Sequence, residues 1–315
     1  MSEGRAAPSR QSAAPARQGA APGGAAREWL AYRGYAGAEW LGTRLSERTG
    51  RRLFGRLAGA AHRLLPGVRA TVARNQSFVL GAPPSASIVR AATREAFDLY
   101  ARYWLDTFRI RTMADDEFSK RFHFDGLENI DRALAAGHGV VTALPHMGNW
   151  DAAGHALSIL GYRIAAVAEE LRPPQLTELF LEHRRELGMH IVPLSENGRI
   201  GRQLGALLRD NWVLALIADR ALSGRGIEVE MFGERRTLPS GPAMLSISSG
   251  APLLVCPTYT TDDGWRCNVG PPIEVERTGS LREDARALTR RMAEEFERAI
   301  AARPVDWHMF QPAFG

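Results

Sequence analysis

The N-terminal third of the chain has the apolar spacing of amphipathic helices. Over residues 28–65, apolar side chains recur every three or four positions, which predicts helix. Pro66-Gly67 is expected to break this helix, and a further helical segment is expected over 70–80. Ser85 would then cap a long helix that reaches about residue 109. These helices are expected to precede the main body of the fold.

Beyond residue 112 the pattern changes to short apolar runs that alternate with helical stretches. Such alternation predicts an α/β sandwich with a central, largely parallel sheet flanked by helices. The predicted strands are 139–144, 164–168, 190–194, 212–217, 227–232, 252–260 and 265–270, and the predicted helices are 150–160, 174–188, 199–209, 240–249 and 281–302.

Charge is distributed unevenly along the chain. Residues 1–112 carry a net charge of +11, whereas residues 113–315 carry −6. Between 44 and 63 a single acid, Glu47, stands against six arginines: Arg44, Arg48, Arg51, Arg52, Arg56 and Arg63. Arginines beside leucines and aromatics favour a helix at an anionic membrane surface. The alternative is a helix packed on the core with solvated arginines. Nucleic acid is not expected as a partner, because no zinc-finger spacing or RNA-binding signature occurs.

Three segments follow from these patterns. Residues 1–27 contain almost nothing to bury and are predicted to be a disordered tail. Residues 28–112 form a helical, membrane-associating segment, and 113–315 form the α/β core, the two making one continuous catalytic domain. No apolar run is long enough to span a membrane, and no signal core is present. The two cysteines lack metal-ligand spacing, so a reducing, cytosolic setting is expected.

The candidate chemistry lies where the first strand of the predicted core ends. The apolar run 140–144 leads into Pro145 and His146, and Asn149 is a good N-cap for a helix that carries Asp151 in its first turn. A carboxylate that orients an imidazole makes the other ring nitrogen a general base. A structural loop histidine is the alternative. The same spacing between His123 and Glu128 has no strand before it and is interpreted as chance.

Other polar residues follow the remaining strands. Asp219 and Arg220 come after the strand 212–217, so Asp219 is expected at the same sheet edge as His146. It would orient His146 while Asp151 assists, or the two acids would exchange these roles. The alternative for Asp219 and Arg220 is a structural ion pair. Glu169 follows the strand 164–168.

Arg184 lies on the predicted helix 174–188, where an arginine is suited to holding an anionic group. The alternative is a solvated helix face. The chain contains no nucleophile elbow, phosphate-binding loop, dinucleotide fingerprint or zinc-peptidase motif. A histidine base without a protein nucleophile fits direct attack by a substrate hydroxyl on an activated acyl group. We therefore expect no metal and no cofactor.

Four segments together resemble the bacterial lipid A biosynthesis acyltransferase family: His146-x4-Asp151 after its strand, Ala-Asp-Arg (218–220), Val-Glu-Met-Phe-Gly (229–233) and Leu-Pro-Ser-Gly-Pro-Ala (238–243). Within this family, Gly-Asn-Trp-Asp (148–151) and Glu-Leu-Gly-Met (186–189) are most similar to the actinobacterial phosphatidylinositol mannoside acyltransferases. The resemblance covers about residues 30–310.

The resemblance implies acyl transfer from acyl-CoA, as co-substrate, to a sugar hydroxyl of a membrane glycolipid. The enzyme would act as a peripheral protein at the cytosolic membrane face. His146, Asp151 and Asp219 match the catalytic positions. The positions expected to bind substrate are Asn149, Trp150, Glu169, Arg184 and Arg220.

On this view His146 deprotonates a mannose hydroxyl, which attacks the thioester of a long-chain acyl-CoA such as palmitoyl-CoA. Backbone amides of 148–150 or an arginine would stabilise the oxyanion. Helices within 85–109 are expected to help line an apolar groove for the acyl chain. Two alternatives stay open: an acyltransferase with a lipid A precursor or glycerolipid as acceptor, and a non-catalytic lipid-binding protein of the same fold.

Overall fold

The N-terminal helices precede the α/β core, as predicted. The computed structural model describes residues 24–169, 173–194, 200–221 and 226–314. The first helices are α1 (Gly24–Arg44), α2 (Glu47–Leu64), α3 (Pro66–Leu80) and α4 (Ser87–Ile110). Helix α1 includes the last four residues of the predicted disordered tail, 24–27, and residues 1–23 of that tail lie outside the described residues.

Three helix boundaries differ from the prediction. The single helix expected over 28–65 is two helices, because Ser46 caps the start of α2 by accepting the N–H of Thr49 at 3.3 Å. The helix does break before Pro66, as predicted, but Pro66 itself begins α3, four residues before the predicted start at 70, since the first turn has no use for its missing N–H. Ser85 is not a cap: α4 starts at Ser87, and the side chain at its N-cap, Ala86, accepts no hydrogen bond.

The following elements, in chain order, are α5 (Asp115–Arg121), β1 (Phe122–Asp125), α6 (Glu128–Ala135), β2 (Val140–Leu144), α7 (Trp150–Ile159), β3 (Ile164–Ala168), α8 (Pro174–Glu186), β4 (His190–Pro193), α9 (Ile200–Arg209), β5 (Val213–Ile217), β6 (Ile227–Met231), β7 (Glu234–Leu238), α10 (Gly241–Ser249), β8 (Leu253–Val255), β9 (Thr258–Thr260), β10 (Trp265–Asn268) and α11 (Leu281–Ala302), followed by a 3-10 turn (Pro304–Asp306).

The central sheet has five strands in the order β4-β3-β5-β2-β8, and every pairing is parallel. Successive residues of β2 contribute to different apolar clusters. Val141 and Ala143 belong to a cluster with residues of α9, α10 and α11, whereas Val140 and Leu144 belong to one with residues of α6, α7 and α8. A sheet covered on both faces explains why β2 is apolar throughout. The predicted α/β sandwich is confirmed.

The strand prediction misses one strand in each of two smaller sheets. The predicted strand 265–270 is β10, which pairs in parallel with the unpredicted β1 and in antiparallel fashion with β9. The single strand predicted over 252–260 is wrong: Cys256 and Pro257 separate β8 from β9, which lie in different sheets. The predicted strand 227–232 is β6, which forms a hairpin with the unpredicted β7.

Helix α4 joins the N-terminal layer to the core. It packs against α1, α2 and α3, and also against the 3-10 turn after α11. Tyr100 of α4 stacks on Phe310, with ring centroids 4.4 Å apart, and Asn75 of α3 donates to the carbonyls of Met309 and Gln311 at 2.9 and 2.8 Å. Within the described residues, no helix is both long and apolar enough to cross a membrane.

Candidate active site

The site lies at the carboxyl ends of β2 and β5. These strands are neighbours, with Leu144 opposite Ile217, and the N–H of Ala218 donates to the carbonyl of Leu144 at 2.9 Å. The chain therefore leaves both strands side by side. His146 follows one strand and Asp219 follows the other, which is how residues 73 positions apart meet at one edge of the sheet.

His146 and Asp219 form a hydrogen-bonded dyad. Nδ1 of His146 lies 2.5 Å from Oδ1 of Asp219, and the backbone N–H of His146 donates to Oδ2 at 3.0 Å. The side chain of Asp219 is fully buried, whereas that of His146 is 25% exposed. An ionised carboxylate only accepts, so the proton lies on Nδ1 and Nε2 carries the lone pair. The imidazole is thus held with its basic nitrogen available to a substrate.

Two further side chains surround Asp219. The indole Nε1 of Trp307 donates to Oδ2 at 2.8 Å, and the buried guanidinium of Arg236 donates to the backbone carbonyl of Asp219. Burial alone would raise the pKa of Asp219. The charge and hydrogen bond of His146, with help from Arg236 and Trp307, outweigh burial and hold the pKa well below its usual range. Asp219 is therefore ionised at neutral pH and is the negatively charged member of the dyad.

The carboxylate of Asp151 does not bond to His146 but to two other side chains. Its carboxylate accepts Nε of Arg184 at 2.7 Å on Oδ1 and the hydroxyl of Tyr103 at 3.0 Å on Oδ2. Burial would raise the pKa of Asp151, but Arg184 above all, with the Tyr103 hydroxyl, lowers it. Of the two acids considered for orienting His146, Asp219 makes the hydrogen bond. Asp151 instead fixes the first turn of α7 to α8 and α4.

The loop between β2 and α7 is tightly held. Asn149 caps α7 by accepting the N–H of Ala152 at 2.9 Å, and its amide donates to Thr107 at 3.2 Å. Asn149 is buried, so its side chain acts in the cap. Gly148 has φ +53°, and a Cβ there would lie 2.3 Å from the carbonyl oxygen of Thr258. Only glycine fits this position without displacement.

The hydrogen bonds of this loop show which of the backbone amides of residues 148–150 are free to bind an oxyanion. The N–H of Gly148 donates to the carbonyl of Asp306 at 3.1 Å and is already used. Within the described part of the chain, the N–H groups of Asn149 and Trp150 have no acceptor. They lie at the N-terminus of α7, where donors and the helix dipole favour negative charge. These two amides are the available donors from the expected set.

His308 supports the same loop from the C-terminal segment. Its Nε2 donates to the carbonyl of Gly148 at 3.0 Å, and its backbone N–H donates to the carbonyl of His146 at 2.7 Å. Burial lowers the pKa of His308 to about 3, so the ring is neutral. A neutral histidine beside His146 holds the loop without adding a positive charge.

An apolar cavity is lined by residues of the central sheet and of α7. Trp150 lines it, and the ring centroid of Trp150 lies 5.5 Å from that of His146. Asp151 and Arg184 also line it. The other lining residues are almost all apolar, among them Leu144, Leu157, Ile164, Met189, Ile217 and Val269.

The walls of this cavity come from the central sheet, α6, α7, α8, β1 and β10. None of the described residues that line this cavity lies within 85–109, so the expectation that helices of this range help line an acyl groove stays a prediction. Helix α4 instead packs behind the first turn of α7, where Tyr103 meets Asp151. The thiols of Cys256 and Cys267 are free and form part of the apolar wall.

Glu169 and Arg220 pair with each other at the rim. The Nη2 of Arg220 lies 3.0 Å from a carboxylate oxygen of Glu169, and its Nη1 donates to Gln311 at 2.5 Å. The side chain of Glu169 is half exposed. Arg220 therefore pairs with Glu169 and not with Asp219, so the structural ion pair considered for Asp219 and Arg220 is absent. No group of metal-ligating side chains occurs within the described residues.

Sequence reasoning missed four residues of the site: Tyr103, Arg236, Trp307 and His308. Arg236 lies on the short strand β7, which the sequence pattern does not predict, and Trp307 and His308 lie in a short segment with no periodic signal. Neither segment carries a motif that would mark these residues. The partner of Tyr103 could not be inferred from the sequence alone.

Comparison with known proteins gives a consistent result. The family model for bacterial lipid A biosynthesis acyltransferases matches residues 24–315. A phosphatidylinositol mannoside acyltransferase of Mycobacterium tuberculosis is 37% identical over 267 residues, which is 84% of this chain and 80% of the relative.

Two further relatives show how the similarity falls off. The phosphatidylinositol mannoside acyltransferase of Mycolicibacterium smegmatis is 35% identical over 280 residues, or 89% of this chain and 90% of its own length. A lipid A biosynthesis acyltransferase of Haemophilus influenzae is 26% identical over 216 residues, or 66% of this chain and 64% of its own length. Similarity is thus higher to the proteins named for a mannoside acceptor.

Proposed function

This chain belongs to the bacterial lipid A biosynthesis acyltransferase family and is an enzyme, and on that premise we propose that it acylates a phosphatidylinositol mannoside. The donor is a long-chain acyl-CoA such as palmitoyl-CoA, and the acceptor is a mannose hydroxyl. The resemblance noted in the sequence is confirmed at the level of the family, and the alternative of a non-catalytic protein is set aside.

One observation carries the proposal: a histidine oriented by a buried carboxylate packs against a tryptophan that lines an apolar cavity. His146 donates from Nδ1 to Asp219, which leaves Nε2 as a base, and the ring centroid of Trp150 lies 5.5 Å from that of His146. A hydroxyl acceptor needs a base, and an acyl chain needs an apolar space. Trp150 connects the residue that meets the first requirement with the cavity that meets the second.

The reaction follows from this arrangement. Nε2 of His146 takes the proton of the mannose hydroxyl as its oxygen attacks the thioester carbonyl. Asp219 stabilises the imidazolium that forms, and the amides of Asn149 and Trp150 stabilise the oxyanion. The intermediate collapses with breakage of the C–S bond, and the imidazolium returns its proton to the leaving sulfur. The products are the acylated glycolipid and free CoA.

The relatives support the choice of acceptor. Two proteins named phosphatidylinositol mannoside acyltransferase cover most of this chain at 35–37% identity, whereas the lipid A enzyme shares 26% over a shorter stretch. We therefore place the mannoside ahead of a lipid A precursor. Nothing in the site favours a glycerolipid.

Residues of α2 support a peripheral position on the cytosolic face of the membrane. Leu57 and Leu64 are 52% and 76% exposed and share one stripe of the helix because they lie seven positions apart. The exposed arginines of the same helix form a second stripe, with spacings of four and seven: Arg48, Arg52, Arg56 and Arg63. Leucines that enter the interface beside arginines that meet anionic head groups suit such a surface.

The deciding experiment is transfer of radiolabelled palmitate from palmitoyl-CoA to a phosphatidylinositol mannoside, with wild type beside His146→Ala. We expect the variant to lose at least about 1,000-fold in kcat, because it lacks the imidazole that the Asp219 carboxylate orients as a base. His123→Ala is the matched control, since His123 is exposed on β1 and contributes to neither the cavity nor the dyad.

The acceptor is tested in the same assay with a panel that includes a lipid A precursor and lysophosphatidic acid. Preference for the mannoside supports the proposal, and preference for another acceptor overturns that part of it. A folded His146→Ala variant with near-wild-type turnover would disprove the role of His146.

A further inference from the structure

We propose that Trp307 is a positioning residue for the reaction: its indole N–H fixes the Asp219 carboxylate so that the other carboxylate oxygen holds Nδ1 of His146. This inference rests on the proposed function, because it gives His146 the role of base. It adds a third member to the dyad, which comes from a segment that carries no recognisable catalytic motif.

The argument begins with the two oxygens of Asp219. Oδ2 accepts two donors, the indole Nε1 of Trp307 at 2.8 Å and the backbone N–H of His146 at 3.0 Å. Oδ1 is left for Nδ1 of His146 at 2.5 Å. Donors from two directions on Oδ2 define the plane of the carboxylate. That plane decides whether Oδ1 faces the imidazole.

Burial makes these donors irreplaceable. Asp219 is fully buried and Trp307 is 1% exposed. When a buried acceptor loses a donor, bulk water cannot take its place, and the anion becomes less stable. Loss of the indole N–H would therefore loosen the orientation of the carboxylate and make the dyad retain its proton more strongly.

Trp307 is itself held by the segment that carries the base. Met147 and Trp307 form an isolated antiparallel bridge, and the N–H of His308 donates to the carbonyl of His146. The guanidinium of Arg236 lies 5.7 Å from the indole centroid and Phe314 packs edge-on against the ring. The backbone bridge fixes the position of the Trp307 main chain, and the side chains of Arg236 and Phe314 restrict the rotation of its indole. The indole is thus held by a backbone bridge as well as by side-chain packing.

The test removes the N–H and keeps the ring. Trp307→Phe is the simple variant, and 3-benzothienylalanine at position 307, installed by stop-codon suppression, is the conservative one. The second replaces the indole N–H with sulfur and leaves the shape of the ring unchanged. Trp212→Phe is the matched control, because the indole N–H of Trp212 is buried and has no partner within the described residues.

We expect both substitutions at position 307 to lower kcat by about 10- to 100-fold and to change KM for either substrate by less than about 2-fold. The acid limb of the profile of kcat/KM against pH should move to higher pH, because a carboxylate with fewer donors retains the proton of the dyad more strongly. Trp212→Phe should leave both quantities at wild-type values. If Trp307 only stabilised the fold, the substitutions would lower the free energy of unfolding and leave the acid limb of the pH profile unchanged.

Each remaining outcome decides the question. If the benzothienylalanine protein matches wild type in kcat and pH profile while His146→Ala is inactive, the positioning role is wrong and the proposed function stands. If His146→Ala is active, the proposed function fails and the inference fails with it. If Trp307→Phe does not fold, the benzothienylalanine protein alone decides.

Discussion

At the scale of single residues, Asp151 shows how a correct motif can suggest a wrong contact. The His-x4-Asp spacing does mark the site, and both residues lie at the end of β2. However, Asp151 sits in the first turn of α7 and is held by Arg184 and Tyr103. The side chain that orients His146 comes from the neighbouring strand. Spacing along the chain cannot show that, because strand order is a property of the sheet.

Arg184 is expected to serve Asp151 and not an anionic substrate. Arg184→Met would leave a buried carboxylate without its cation, and we expect the free energy of unfolding at neutral pH to fall by about 3 kcal/mol. The neighbouring Arg185→Met should cost less than about 1 kcal/mol, since Arg185 is half exposed and its partner Glu178 lies 3.5 Å away on the surface. Urea unfolding of the three proteins measures both values.

The pH dependence of this effect has a definite sign. Because the pKa of Asp151 is lowered in the folded protein, its stabilising contribution is present above the ordinary aspartate pKa of about 4 and is lost as the pH falls through the folded value. The gap in stability between wild type and Arg184→Met should therefore narrow in acid. An Arg184→Met protein of full stability but reduced substrate affinity would instead show an anion-binding role.

The contributions of the site residues were predictable to different degrees. His146, Asn149 and Asp219 follow from strand ends and capping preferences, which are local signals. Asn149, expected to bind substrate, is buried in the cap of α7, and the rim pair Glu169 and Arg220 remains a prediction for substrate contact. The roles of Trp307 and Arg236 depend on tertiary pairing and leave no local trace.

At the scale of elements, the loop between β2 and α7 is the part of the fold most closely tied to the chemistry. Gly148 approaches β9 so closely that a Cβ would overlap the carbonyl of Thr258. Gly161 has a similar left-handed backbone, with φ +87°, but a Cβ there would meet nothing within 4 Å. Substitution of Gly161 therefore measures the cost of the left-handed backbone alone, whereas substitution of Gly148 adds the cost of steric overlap.

We expect Gly148→Ala to destabilise the protein by at least about 3 kcal/mol and to lower turnover at least tenfold, because strain and overlap both displace the loop. Gly161→Ala should cost about 1 kcal/mol and leave turnover unchanged. Thermal unfolding and the transfer assay measure the two effects. Equal behaviour of the variants would mean that the loop tolerates displacement.

The elements of the core were more predictable than those around it. Long periodic runs such as α4 and α11, and the apolar strands β2 and β5, follow from their own patterns. The strands β1 and β7 did not, because short strands at sheet edges mix polar and apolar residues. Pro257 shows a further limit, since it divides a continuous apolar run between two sheets.

At the scale of the whole molecule, the surface of α2 is expected to govern membrane binding. Replacement of four exposed arginines by Gln should weaken binding to vesicles that contain anionic lipid at least 50-fold at low salt, at about 1 kcal/mol for each residue near the surface. The substituted positions are Arg48, Arg52, Arg56 and Arg63. Flotation of vesicles with and without phosphatidylinositol provides the measurement.

A matched control carries the same change in net charge on α11, at four of the exposed arginines of that helix: Arg282, Arg286, Arg290 and Arg298. Their replacement by Gln should leave vesicle binding nearly unchanged. Equal loss in both proteins would mean that net charge, and not the α2 surface, attracts the membrane. Unchanged binding in the first would refute the membrane-facing role of α2.

The bridge between Met147 and Trp307 also bears on when the enzyme becomes active. Pairing at this point, as between Gly148 and His308, joins residues 160 positions apart. Closing so long a loop costs conformational entropy that contacts elsewhere in the chain must offset, so this pairing is expected among the late events of folding. A chain that has not yet made it would lack the indole N–H that aligns the carboxylate of Asp219.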